Sequence, residues 1–336
     1  MAYTTIDKSS LHFSPTLYVG NGGTKTVTGI PFEPDMTWLK NRSGATDNEI
    51  YDKVRGVGYR IYTNTSAGQD DLGSQGLSAW TSDGFTVGNN GAINGNGNNL
   101  VSWNWKGNGQ GSSNTDGTIN STYTSANTTS GFSIVKYTSG GGSGTVGHGL
   151  GSVPKVMFYK PISTSGGWDV YHHSLGISKR LNLHNTATES SGYFQTLPTS
   201  SVFTEPNLYS GASVIMYCFA EKQGFSKMGS YTGTASTNGA FVYTGFKPAW
   251  VLIKNTAATE AWFLYDNKRG LNGSMKALFP DETAAEGAAA DNIDLLSNGF
   301  KLRTAGAILN SNANFVYMAF AEAPLVGSNN VPANAR

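Results

Sequence analysis

The chain has 336 residues, enough for two or three domains that each bury a core, and a formal net charge of +1 at pH 7. Charged residues supply 13% of it against a usual share of about 25%, and Gly fills 43 positions, roughly twice its ordinary frequency. This balance gives no broad attraction to nucleic acid or anionic membrane, and a surface of Ser, Thr, Asn and Gly disfavours long helices.

The opening residues, Met1-Ala2-Tyr3-Thr4-Thr5-Ile6-Asp7, show no basic region followed by an apolar run, and no stretch approaches 18 consecutive apolar residues. A soluble protein is expected, made in a cytoplasm without a cleaved signal and not inserted into a membrane. The first strong pattern begins at Pro34. A short run, Met36-Thr37-Trp38-Leu39-Lys40, ends in Lys, and Tyr51 follows eleven residues later. Aromatic and apolar residues bounded by Pro and a polar turn predict a buried strand. Asp83-Gly84-Phe85 carries an Asx-Gly hairpin turn, and Leu100-Val101-Ser102-Trp103-Asn104-Trp105 closes the segment as a further strand.

Residues 107–130 are almost free of apolar side chains and charge, which predicts a flexible or surface-laid linker. The Pro34, Lys40, Tyr51 signature then returns as Pro154, Lys160, Tyr171 and again as Pro248, Lys254, Tyr265, with identical steps of six and eleven residues. Trp168 precedes Tyr171 and Trp262 precedes Tyr265 by three positions, where the first copy has Asn48. Closing runs end in Phe219-Ala220-Glu221 and Phe320-Ala321-Glu322, and Asn298-Gly299-Phe300 matches the earlier hairpin turn. Such spacing implies one structural unit built three times. We expect an all-β chain of three related antiparallel β-sandwich-like repeats in tandem, at 1–112, 130–227 and 228–325, with a linker at 113–129 and a tail at 326–336. The second and third copies have no spacer between them and are expected to pack together. Residues 281–290, Ala-rich with early acids, suit a short surface helix or loose loop that adds little to a core.

The chemistry-bearing residues are few. Cys218 is the only cysteine, which excludes an intrachain disulfide or a Cys-built zinc site. The repeated Lys suits a structural role, its stem over apolar surface and its charge in water. Asp52 with Arg55 and Asp266 with Arg269 read as turn-closing ion pairs, whereas the middle copy has His172 and Leu175. His172 and His173 are adjacent; in a strand they would face opposite ways and could not share a metal ion. His148 reads as a turn residue, and Asp70-Asp71 is weak as a calcium site. No nucleophile elbow, zinc, EF-hand or phosphate-loop spacing occurs. No metal, no cofactor and no enzymatic activity are expected. Aromatic residues are the remaining lead for ligand binding. Trp103 and Trp105 lie on one face of a strand and could stack sugar rings, although the same spacing fills a sandwich core and that reading is preferred. Trp168, His172, Tyr209 and Trp262 complete the candidates.

The opening segment, the blocks Trp38-Leu39-Lys40-Asn41-Arg42 and Tyr51-Asp52-Lys53-Val54-Arg55-Gly56, and 245–254, 296–303 and 317–322 resemble a repeat domain of tail-fibre-like virion proteins of marine bacteriophages. The resemblance spans nearly the whole chain. It implies a virion surface protein: a tail-fibre or receptor-binding component, in contact with other virion proteins and host surface glycan, assembling as a homo-oligomer, frequently a trimer in such proteins. It supplies no catalytic or binding residues. The alternatives are a capsid-decorating protein, since the chain is short for a fibre, and a polysaccharide depolymerase.

Overall fold

The computed structural model describes residues 3–326 apart from 143, 289, 307 and 325. All of the tail expected at 326–336 except Val326 therefore lies outside the described residues. The chain is almost entirely β. Its first segment contains β1 (Phe13–Val19), β2 (Lys25–Val27), β3 (Met36–Asn41), β4 (Glu49–Asp52), β5 (Tyr59–Tyr62), β6 (Asp70–Asp71), β7 (Leu77–Thr81), β8 (Gly84–Val87) and β9 (Asn99–Trp105). Next come β10 (Tyr123–Asn127), β11 (Phe132–Thr138), β12 (Thr145–Gly147), β13 (Val156–Pro161), β14 (Asp169–His172), β15 (Lys179–Asn182), β16 (Ser190–Ser191), β17 (Val202–Thr204) and β18 (Ser213–Phe219). The last segment holds β19 (Ser226–Thr232), β20 (Phe241–Tyr243), β21 (Phe246–Asn255), β22 (Phe263–Asp266), β23 (Ile293–Leu296), β24 (Gly299–Leu302) and β25 (Asn314–Pro324).

The same pairing order recurs. In the first segment the opening and closing strands pair and the closing strand continues the sheet, giving β1-β9-β3-β4-β5-β6; the second gives β11-β18-β13-β14-β15-β16, and the third β19-β25-β21-β22. A small sheet lies beside each: β2-β8-β7, β12-β17 and β20-β24-β23. Every strand pair named here is antiparallel. We call the segments units 1, 2 and 3.

Strand alternation explains how each large sheet is buried twice. On one face of unit 1, Tyr18, Leu39, Tyr51 and Leu100 pack against Val27, Leu77, Phe85 and Val87 of the small sheet. On the other, Phe13, Met36, Trp38, Trp103 and Trp105 join a core shared with units 2 and 3. Where the three units meet, Trp105, Phe219 and Phe320, at equivalent places in the closing strands, form a triangle with ring centroids 6.4, 5.6 and 6.0 Å apart. A continuous central core joins the units into one body.

Of the two courses open to residues 107–130, the chain takes the surface-laid one: Gly107 and Gly109 donate backbone N–H to the Asp35 carboxylate, Ile119 bridges Val146, and β10 adds an edge strand to unit 2. Local polar turns replace the missing apolar groups, as where Asn114 and Ser121 bond to the backbone. Residues 281–288 depart from the expected surface helix or loose loop: they form an irregular segment held between units 3 and 1 by backbone carbonyls that accept from Lys40 and Asn48.

Candidate functional site at the unit junctions

The repeated signature lines the junctions between units. Lys40, Lys160 and Lys254 sit at equivalent places in β3, β13 and β21, on the sheet face turned to the central core, and each is 0% exposed. Each ammonium reaches the carbonyl six residues on: Thr46 at 2.5 Å, Gly166 at 2.5 Å and Glu260 at 2.8 Å. The charge thus stays inside rather than in water, because carbonyl oxygens replace the hydration shell. Burial lowers all three ammonium pKa values to about 8. Two also cross a junction, Lys40 to the Thr283 carbonyl of unit 3 and Lys254 to the Thr186 carbonyl of unit 2. Pro34, Pro154 and Pro248 are buried two residues before the apolar run. Tyr51, Tyr171 and Tyr265 are buried on the opposite sheet face.

The position three residues before each Tyr completes the ring. Trp168 Nε1 donates to the Tyr62 carbonyl of unit 1 at 2.7 Å, and Trp262 Nε1 to the Asn182 carbonyl of unit 2 at 2.8 Å. Asn48 Nδ2 donates to the Phe279 carbonyl of unit 3 at 3.1 Å. Backbone bonds run parallel to these: Gln69 N–H to Ile162, Glu189 N–H to Thr256 and Glu286 N–H to Arg42, at 2.9 to 3.1 Å. Every unit therefore holds both neighbours, and unit 3 closes back on unit 1. That last junction is the most highly charged, with Glu286 against Arg42, Arg269 and Lys276.

The Asp-x-x-Arg pairs are more than turn closures. Asp52 with Arg55 and Asp266 with Arg269 are fully buried, with N–O distances of 2.6 Å in both. Each aspartate accepts a further bond from a neighbouring unit: the Tyr217 hydroxyl reaches Asp52 at 2.6 Å and Trp103 Nε1 reaches Asp266 at 2.8 Å. At the equivalent closing-strand position unit 3 has Met318, which offers no N–H or O–H. Opposite Met318 the middle unit has His172, which lines one small void with it, and no carboxylate. A carboxylate there would meet the Ser174 N–H, which donates to His172 Nδ1 at 3.2 Å, but neither an Arg, since Leu175 takes that place, nor a side-chain donor across the junction, so a neutral side chain fits. Burial lowers the His172 pKa to about 3, and its Nε2 meets the Tyr317 carbonyl at 3.2 Å.

His172 and His173 do not face opposite ways. β14 ends at His172 and a short 3-10 turn begins at His173, so the rings stack at 5.3 Å, and His173 Nε2 meets the Met228 carbonyl at 2.9 Å. Trp103, Trp105, Trp168, Trp262 and His172 are at most 3% exposed and present no face to a ligand. Tyr209 is half-buried, at φ 55°, with its ring stacked on Tyr159. The structure thus brings the Trp and His candidates together as junction and core residues, not as a sugar platform. Sequence reasoning missed Glu49–Arg60 and Asp169–Arg180, matching ion pairs at the start of β4 and β14; the shared acid-to-Arg spacing of eleven residues was their available signal. It also missed a polar cleft of about 370 Å³ between units 2 and 3, lined by Ser174, Ser178, Lys179, Glu189, Ser230 and Asn314. Among the described residues no group of three His, Cys, Asp or Glu side chains could hold a metal, and no helix is long and apolar enough to cross a membrane.

Fold and junctions together define an all-β protein whose three similarly wound units close around a shared aromatic core. Residues 8–324 match the family described as Domain of unknown function (DUF7483), and the chain belongs to that family. No curated protein and no solved structure matches it.

Proposed function

We propose that the chain is a non-enzymatic structural protein of a bacteriophage virion surface, acting as a tail-fibre or receptor-binding component that contacts the host. The observation that carries this reading is how the distinctive side chains are used. Signature lysines, tryptophans and Asp-Arg pairs are spent on joining units into one body, which leaves a surface of loops rich in Ser, Thr, Asn and Gly for contact. Such a body suits a durable exterior component, in which buried polar networks fix one arrangement of the units. The resemblance to tail-fibre-like repeat domains supports the same assignment. Homo-oligomerisation belongs to the proposal and is checked by light scattering of the purified protein.

A second reading, a capsid-decorating protein, draws support from the three similar units around one core. A body of that shape suits a position where three shell subunits meet. The two readings differ in experiment. As an adhesin the isolated protein binds host cells, and antiserum against it blocks adsorption at tail-like copy number in the particle. Capsid-like copy number with no effect on adsorption would replace the first reading by the second. Release of reducing sugar from host polysaccharide, lost on replacing one carboxylate, would overturn the non-enzymatic part.

A further inference from the structure

The three small sheets differ at one pair of outward positions. Val27 pairs with Phe85, Val146 with Phe203 and Val242 with Phe300, which sets these positions in register across the units. Flanking the central Val are Thr26 and Thr28 in unit 1 and Thr145 and Gly147 in unit 2, but Phe241 and Tyr243 in unit 3. These two aromatic residues project from the same face of β20 and are 46% and 57% exposed. Elsewhere in the central core the protein buries its large rings.

Both rings have an edge close to a glycine. A Cβ added to Gly299 would come within 3.1 Å of Phe241 Cζ, and one added to Gly245 within 3.5 Å of the Tyr243 hydroxyl and 3.7 Å of its Cε1. A side chain at either glycine would crowd the ring beside it, and both rings keep about half of their surface in solvent. Gly245, at φ +83°, also has the Tyr3 hydroxyl against it, which donates to the Gly245 carbonyl at 3.1 Å. Tyr3 in turn interacts with the Tyr243 and Gln223 side chains. Lys301 faces Phe241 across the strand pair and anchors its ammonium on the Gly239 carbonyl at 3.1 Å.

We propose that Phe241 and Tyr243 form a carbohydrate-stacking platform for neutral hexose-based glycan, with the Tyr3, Gln223 and Lys301 polar groups at its rim. The apolar C–H face of a pyranose packs on an aromatic ring while its hydroxyls need hydrogen-bond partners at the edge, and this patch offers both. Size separates a sugar from a protein partner. The exposed area of the two rings is on the order of 200 Å², well below the roughly 800 Å² per partner of a standard protein interface, and close to the footprint of one or two sugar rings. The platform deepens the host-contact reading and rests on it for the origin of the glycan, but not for binding itself.

The test is a double variant, Phe241→Thr with Tyr243→Thr, which installs the unit 1 residues at exposed positions. Wild type and variant are compared by titration calorimetry against neutral oligosaccharides of glucose, galactose and N-acetylglucosamine, and separately for binding to host cells. Expected is saccharide binding by the wild type and at least tenfold weaker binding by the variant, with the melting temperature unchanged. Equal saccharide binding by both proteins, or none by the wild type, overturns the platform. Binding to cells in either of those cases leaves host attachment standing. Saccharide binding lost in the variant, with no binding of the wild type to cells, upholds the platform and defeats host attachment.

Discussion

Asp52 in unit 1 and His172 in unit 2 occupy the same place in their units and solve the same problem differently. Asp52 is buried with Arg55 and takes the Tyr217 hydroxyl from the next unit; His172 stands opposite Met318, stays neutral and bonds a backbone carbonyl. A buried carboxylate is tolerated where its lone pairs are filled by Arg and a neighbour's donor, and is replaced where the donor is missing. The departure of the middle copy from the Asp-x-x-Arg pattern thus matches its surroundings, with Leu175 in place of the Arg and Met318 across the junction.

The comparison can be broken most sharply at the charged member. Asp52→Ala leaves Arg55 buried without its counter-ion and is expected to cost about 3 to 5 kcal/mol in denaturant unfolding. Placing the carboxylate where neither an Arg nor a side-chain donor waits, His172→Asp, is expected to destabilise by about 3 kcal/mol. Adding Met318→Tyr should restore roughly 1 to 2 kcal/mol of that loss by supplying the hydroxyl found at Tyr217. Failure of the second change to help would mean that the partner across the junction does not decide the residue. Smaller still is Trp168→Phe, which keeps the ring but removes the N–H donated to Tyr62. It should cost about 1 to 3 kcal/mol through the carbonyl left unpaired.

The pH dependence sharpens the same contrast. The His172 pKa is lowered from 6.5 to about 3, so its contribution is full above 6.5 and is lost as pH falls through the range down to 3. The signature lysines are also lowered, from 10.5 to about 8. Their contribution is full above 10.5 and is lost as pH falls through 8, so stability should rise between pH 8 and 10. Replacing Lys160 by Met should flatten that rise, measured as the unfolding midpoint against pH.

Much of the fold was legible in the sequence because it rests on patterns that strands express in side chains. The apolar runs ending at Lys40, Lys160 and Lys254 became β3, β13 and β21, and Leu39, Ile253, Phe219 and Phe320 are buried as expected. The site was less legible. Junction acceptors such as the Tyr62, Asn182 and Phe279 carbonyls are backbone atoms that leave no trace in residue type. The lysines were expected to reach water because a cation at the end of an apolar run ordinarily does, and nothing local reveals that three carbonyl cradles enclose them. Residues 281–288 misled through composition: they are held by polar contacts with a distant segment, which composition does not encode.

Closure of the ring is the claim on which the rest depends, and the bond from Trp103 in unit 1 to Asp266 in unit 3 reports on it across 163 residues of sequence. A double-mutant cycle with Trp103→Phe and Asp266→Asn measures their coupling directly in equilibrium unfolding. A closed ring gives a coupling energy of about 1.5 to 3 kcal/mol, as for a hydrogen bond to a charged group. Effects that add to within about 0.5 kcal/mol would show that units 1 and 3 do not meet there, and would contradict the closed arrangement.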